Sequence, residues 1–308
     1  MQTILGAGGA IGIDLAKELT KYTDRIRLVS RSPKQVNPSD EVFSADLTNP
    51  EHVDEAIKGS EVVYVLIGFQ YDTKTWKKTW PPFMASVISA CKKHNSKLVF
   101  FDNIYMLDPA EIGHMTESSR MDPTAKKGMV RKELDEMIMK EFEDDKLDAI
   151  IARSADFYGP GIRNSVLQEM VLKNLKEGKP AMWIINADVK HSFTYTPDAA
   201  KAIAILGNTP EAFNQVWNMP THRDTLTVRQ WVEIMAKELN VEPKVRVMPR
   251  IMITLLSLFS PILKELKELT YQWDREYFLD SSKFEKEFDF TPTTYQEGIK
   301  RILQSSKG

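Results

Sequence analysis

A chain of 308 residues with 42% apolar and 27% charged side chains has an ordinary globular composition, which excludes disordered or collagen-like polymers and allows one large α/β domain or two unequal ones. Its 41 basic and 43 acidic groups leave a net charge of -2, so no global field draws it to nucleic acid or to a membrane, and a small-molecule substrate is the expected partner. Cys91 is the only cysteine, which excludes internal disulfides and thiolate metal cages and suits a reducing cytoplasm.

Met1 to Leu5 run directly into a glycine cluster with neither a basic region nor a long apolar stretch, so no signal peptide is expected. Short apolar runs then alternate with helical periodicity. Strands are predicted at Thr3-Ile4-Leu5, Arg25 to Ser30, Val42 to Ala45, Val62 to Ile67, Lys97 to Phe101 and Asp148 to Ala152. Helices are predicted at Ile13 to Tyr22, Pro50 to Ile57, Pro82 to His94 and Val130 to Phe142. This βα repetition defines an α/β fold, a Rossmann-type doubly wound parallel sheet over residues 1–160. Residues 161–308 read as a smaller, discontinuous substrate-binding cap, with about 186–217 returning to the first domain. The cap pieces are Asn164 to Lys176, a strand at Ala181 to Ile185, and the region from Asn218 onward; Thr196-Pro197-Asp198 reads as a helix start. Ile251 to Leu263 is apolar but too short to span a membrane, and is expected to be a buried or cap helix.

The first strand leads into Gly6-Ala7-Gly8-Gly9-Ala10-Ile11-Gly12, with Gly6, Gly9 and Gly12 at G-x-x-G-x-x-G spacing before a helix. In that context backbone N–H groups and a helix N-terminus approach a pyrophosphate that a Cβ would obstruct, so the loop predicts a dinucleotide site. At the end of the second strand, where an NAD-preferring fold carries an acid for the ribose 2′-hydroxyl, Ser30-Arg31-Ser32 stands instead. A guanidinium with small hydroxyls suits a 2′-phosphate, which favours NADP(H) over NAD(H); the alternative is that Arg31 is a solvated loop charge.

With Asp46-Leu47, Lys97 to Tyr105 (KLVFFDNIY), Arg153 to Gly161 (RSADFYGPG) and Phe193 to Ala200 (FTYTPDAA), these features resemble the short-chain dehydrogenase/reductase superfamily, in its extended or atypical NAD(P)-dependent epimerase/dehydratase-like branch. The resemblance implies that Asp46 and Leu47 meet the adenine, that Leu66, Ile67 and Gly68 line the ribose side, and that Asp156 and Phe157 lie beside the nicotinamide. It also implies a Ser or Thr after the fifth strand and a Tyr-x-x-x-Lys on the next helix. Here those positions hold Asp102-Asn103, Lys127 and Arg131. The resemblance leaves Arg131 able to bind the ribose and Asn103 a carbonyl oxygen, but a guanidinium is no proton donor at neutral pH. Tyr105 and Lys127 are the candidate relocated acids, and each has a plain alternative as a core aromatic and a solvated loop end. Asp156 also has a reading as a turn residue. Arg163 reads as an anion contact or an exposed charge.

The five histidines share no ligand spacing, and no nucleophile elbow or P-loop ending is present, so metal, hydrolase and nucleotide-hydrolysing readings fall away. Trp183, Phe193, Trp217, Met219, Met248, Trp273 and Tyr277 are expected mostly in the core. The expected function is NAD(P)-dependent hydride transfer on a small carbonyl or activated alkene, in a cytoplasmic monomer or homodimer without nucleic-acid or membrane partners. The alternatives are a sugar-nucleotide epimerase or dehydratase, and a non-catalytic NADP(H)-sensing regulator.

Overall fold

The structure, a computed structural model, describes residues 1–162 and 165–305, so Arg163 and Asn164 lie outside the described residues. In chain order the first half runs β1 (Gln2–Leu5), α1 (Ala10–Leu19), β2 (Ile26–Ser30), β3 (Glu41–Ser44), α2 (Pro50–Ile57), β4 (Val62–Val65), α3 (Thr73–His94), β5 (Lys97–Asp102), α4 (Lys126–Glu143), β6 (Ala149–Arg153) and β7 (Asp156–Tyr158). The second half begins with a π-helical turn at Gln168–Leu172 leading into α5 (Lys173–Lys176), then β8 (Ala181–Ile184), β9 (Phe193–Tyr195), α6 (Thr196–Gly207), β10 (Gln215–Asn218), α7 (Val228–Leu239) and β11 (Val245–Met248). It ends with α8 (Arg250–Leu256), α9 (Pro261–Leu266), a 3-10 turn at Lys267–Trp273, α10 (Ser282–Glu287) and α11 (Tyr295–Ser305).

Seven strands form one parallel sheet in the order β10-β6-β5-β4-β1-β2-β3. Alternation along the strands feeds two cores. Leu5, Val63, Val65, Leu98, Phe100 and Ile151 pack with Trp80, Met84, Val87, Leu134 and Ile138 on one face. Ile4, Leu28, Tyr64, Val99 and Ile150 pack with Leu15, Leu19, Ala200 and Ile203 on the other. A sheet buried on both faces explains why its strands read as continuous apolar runs. A third core, holding Tyr158, Trp183, Phe193, Trp231 and Tyr295, builds the second half around β8 and β11 and around β7 and β9, which pair as two short parallel ribbons.

Two expectations need correction. Helix α3 begins at Thr73 rather than Pro82: Asp72 caps it by accepting the Thr75 N–H at 2.8 Å, and Pro81 and Pro82 lie inside it. The carbonyls they leave unbonded belong to Lys77 and Lys78, both exposed residues, while Trp76, Trp80, Phe83 and Met84 hold the helix to the sheet. Of the two readings of the apolar segment from Ile251, buried or cap helix, the buried one does not hold. The segment folds as the short hairpin α8–α9, and of its apolar side chains Ile253 turns inward while Leu258 and Phe259 are 75% and 87% exposed. No helix among the described residues is long and apolar enough to cross a membrane.

Candidate functional site

The chain runs outward from β1 to β3 in one direction and from β4 to β6 in the other, so the sheet's switch point lies between β1 and β4. Ligands of open α/β sheets bind in the crevice at the carboxyl ends of the strands at such a point. Leu5 pairs with Val65, so the glycine loop and Leu66-Ile67-Gly68 leave the sheet at the same level. Gly6 has φ +94, and a Cβ there would lie 2.6 Å from the Ile67 backbone. Gly12 packs somewhat less closely, its Cβ position 3.0 Å from Ala7 Cα. Around Gly8 and Gly9, by contrast, the space is open, and Gly9 starts α1 with no side-chain cap at its first N–H groups. Ala10 opens the helix and Ile11 packs partly into the core beneath it. A tight turn, an uncapped helix N-terminus and open space above it fit a dinucleotide pyrophosphate.

The other residues expected around that group lie at the strand ends. Ser30 closes β2 and Arg31 follows it, exposed, its carbonyl accepting from Ser44 Oγ at 3.0 Å. Asp46 is exposed and accepts from the Thr48 N–H and hydroxyl, bonds that hold its carboxyl below the usual range, while Leu47 is buried. Phe157 stacks on Phe101 with ring centroids 5.6 Å apart.

Beyond β5 the chain folds back on itself. Asn103 accepts the Tyr105 N–H at 2.8 Å through Oδ1, leaving its Nδ2 group without a partner among the described residues. The Tyr105 hydroxyl lies 3.5 Å from that of Tyr71, and its ring stacks on Trp76. Gly128 in the first turn of α4 touches the Tyr105 carbonyl so closely that a side chain there would collide with it, which sets Lys127 beside the tyrosine pair. Lys127 is fully buried. Its ammonium lies 2.5 Å from Glu265 and 2.8 Å from Glu268, donates to the Glu265 carbonyl at 3.0 Å, and sits 4.8 Å over the Tyr71 ring. One turn further along, Arg131 lies 4.0 Å over Trp80 and 4.5 Å over Trp76, paired with Asp102 at 3.0 Å. Its guanidinium is thus committed to two indole faces and a carboxylate.

Asp102 also faces Asp135, which is bonded to Arg153 at 2.7 Å. Burial pushes the Asp102 carboxyl up to about 7 against the pull of Arg131, and burial raises Asp135 against the pull of Arg153. Two facing buried carboxyl groups each disfavour the other's ionisation, which adds to the upward push of burial on both.

Sequence reasoning missed several groups that this arrangement recruits. His191 is buried, bonds Asp156 Oδ2 through Nε2 at 2.9 Å, and stacks on Tyr277 at 4.1 Å between centroids. The negative charge of Asp156 contributes to raising Tyr71, Tyr105 and Tyr277, each pushed up first by burial. Tyr71, Glu265 and Glu268 carry no motif. His191 stands two residues before the Phe193 segment, and Asp135 occupies the acidic end of the stretch that starts at Lys127, so both were within reach of pattern reading.

This fold and loop define a Rossmann-type α/β protein of the extended short-chain type. The chain belongs to the NAD dependent epimerase/dehydratase family, whose pattern matches residues 3–219. Among curated proteins it is similar to the "Uncharacterized UDP-glucose epimerase YtcB" of Bacillus subtilis (strain 168), 20% identical over 241 residues, 70% of this chain and 75% of that one. Among solved structures it is similar to UDP-N-acetylglucosamine 4-epimerase from Bacillus cereus, with 17% identity, TM-score 0.78, and 100% of this chain and 96% of that one covered. It is also similar to the dTDP-glucose 4,6-dehydratase DesIV from Streptomyces venezuelae, solved with NAD and TYD, with 16% identity, TM-score 0.80, and 100% and 97% of the two chains covered. At these identities the structural likeness carries the fold.

Proposed function

We propose that this protein binds a nicotinamide dinucleotide, NADP(H) in preference to NAD(H), and acts as an epimerase or dehydratase on a nucleotide-linked sugar. The observation that carries this reading is that the uncapped glycine loop, Tyr71, Asn103, Tyr105 and Asp156 follow the carboxyl ends of β1, β4, β5 and β6 of one parallel sheet. The family and the names of its relatives favour a sugar nucleotide over the small carbonyl or alkene expected from the sequence. When bound, the nicotinamide supplies a hydride acceptor and donor.

The chain's own residues then divide the work. Ser30 and Arg31 bind the ribose 2′-phosphate, Asp46 and Leu47 border the adenine, and Leu66, Ile67 and Gly68 line the ribose. Asp156 and Phe157 border the nicotinamide, with His191 holding the Asp156 carboxylate in place. The free Nδ2 of Asn103 donates to the substrate oxygen. Tyr105, whose phenol burial keeps protonated, donates to that oxygen as it gains charge, with Tyr71 hydrogen-bonded behind it. Lys127, locked by two carboxylates, forms the wall rather than the acid. In this division the sheet unit, residues 1–160 with about 186–217, holds the dinucleotide, and the remaining chain closes over the sugar.

Product analysis on a panel of nucleotide sugars with either dinucleotide, beside a panel of small carbonyls, tests the reading. Sugar conversion that Tyr105→Phe lowers at least about tenfold and Lys127→Ala spares supports it. Turnover of the carbonyl panel alone overturns the substrate class. A second reading, a dinucleotide-responsive regulator, is favoured by the full engagement of Lys127 at the usual tyrosine position. It predicts binding with no turnover on either panel.

A further inference from the structure

The α8–α9 hairpin separates its side chains by chemistry. Ile251, Leu255, Leu258, Phe259 and Ile262 are 71%, 59%, 75%, 87% and 51% exposed, with Met252 and Leu256 beside them. Soluble proteins scatter exposed apolar residues singly, so a set concentrated along one short α8–α9 segment marks an interaction surface. Its charges are sorted as well. Glu265 and Glu268 point inward, to Thr73 and Lys127 and to Lys127 respectively. Of the charged side chains along 242–267, the exposed ones are Glu242 and the basic Lys244, Arg246, Arg250, Lys264 and Lys267, which flank the hairpin along the chain. Lys244 pairs with Glu242 and Arg250 with Asp274, whereas Arg246, Lys264 and Lys267 make no ion pair with any described residue.

We infer that the hairpin docks peripherally on an anionic lipid bilayer, with Leu258 and Phe259 entering the acyl boundary and Arg246, Lys264 and Lys267 meeting the headgroups. A protein partner or a second copy would also bury the apolar segment. The unpaired basic set flanking it is what selects an anionic surface, because each cation near such a surface adds attraction that salt screens. The global charge of -2 does not show this local excess of five exposed cations over one exposed acid along 242–267. The segment that docks is also the site's wall, because its inner side carries the two carboxylates that hold Lys127.

The test is co-sedimentation of the full chain with phosphatidylcholine vesicles, with and without phosphatidylserine, alongside light scattering of the free protein. Binding to the serine-containing vesicles, lost in high salt and reduced about tenfold or more both in Leu258→Ser/Phe259→Ser and in Lys264→Glu/Lys267→Glu, is expected. These side chains are exposed, so both variants should keep the wild-type melting temperature. Equal or absent sedimentation with both vesicle types overturns the inference. Dimerisation that Phe259→Ser abolishes also overturns it, in favour of a second copy as occupant.

Discussion

Lys127 and Glu265 form a buried ion pair at 2.5 Å that joins the start of α4 to the end of the α8–α9 hairpin, with Glu268 as a second partner at 2.8 Å. Removing both carboxylates leaves the fully buried Lys127 charge uncompensated, whereas removing Lys127 leaves carboxylates that are 15% and 19% exposed and can be hydrated. Glu265→Gln/Glu268→Gln should therefore lower stability by about 3 kcal/mol, and Lys127→Met by clearly less. Urea unfolding of the three proteins measures the difference, and a larger loss in Lys127→Met would contradict the pairing described.

The glycine loop separates folding from binding. Gly6→Ala puts a Cβ against the Ile67 backbone at positive φ, so the melting temperature should fall along with dinucleotide affinity. Gly9→Ala meets nothing within 4 Å, so it should melt like the wild type and still bind at least about tenfold more weakly, because the new methyl occupies the space for the phosphates. A scan by differential fluorimetry with and without NADPH reads both.

The Asp102–Asp135 pair makes stability depend on pH in the direction opposite to ordinary carboxylates. Asp102 is raised in the fold from 3.8 to about 7, so the folded state binds more protons than the unfolded state between those values. Its contribution is complete below the unfolded value and is lost as pH rises through about 7. Asp102→Asn lacks this titration. The melting temperature of the wild type relative to Asp102→Asn should accordingly decline from pH 5 to pH 8, and a flat difference would refute the raised Asp102 carboxyl.

Arg31 decides between dinucleotides only if it meets a 2′-phosphate. Arg31→Asp should weaken NADPH binding by about tenfold or more and leave NADH unchanged or tighter, since a carboxylate repels the phosphate and accepts from the free hydroxyl. Isothermal titration with both dinucleotides checks this, and equal effects on the two would leave Arg31 as a solvated charge.

The sheet was legible because its determinants are local. Each of the six strands expected from apolar runs forms, and Gly6, Gly9 and Gly12 stand at the carboxyl end of the first. Helix α2 matches its expected span because Asn49, which accepts the Glu51 N–H, and Pro50 mark its start chemically. Helix α3 was shortened because Pro82 reads as a first-turn residue, and only burial of Trp76 and Trp80 reveals that the helix tolerates it. The site was less legible. Lys127 looked like an isolated loop charge because Glu265 and Glu268 lie more than a hundred residues away and reach it through tertiary packing alone. The pairing of Asp156 with His191, and of Tyr71 with Tyr105, is likewise long-range. Exposure of the 251–262 segment had no sequence signal, since an apolar run looks the same whether a core or a partner covers it.

The central claim is that the Gly6 to Gly12 loop holds a nicotinamide dinucleotide. Titrating the purified protein into NADPH and, separately, NADH while following the cofactor's fluorescence tests it most directly. A saturable change in emission, stronger with NADPH and weakened in Gly9→Ala, is the expected result. No change with either dinucleotide would contradict the account.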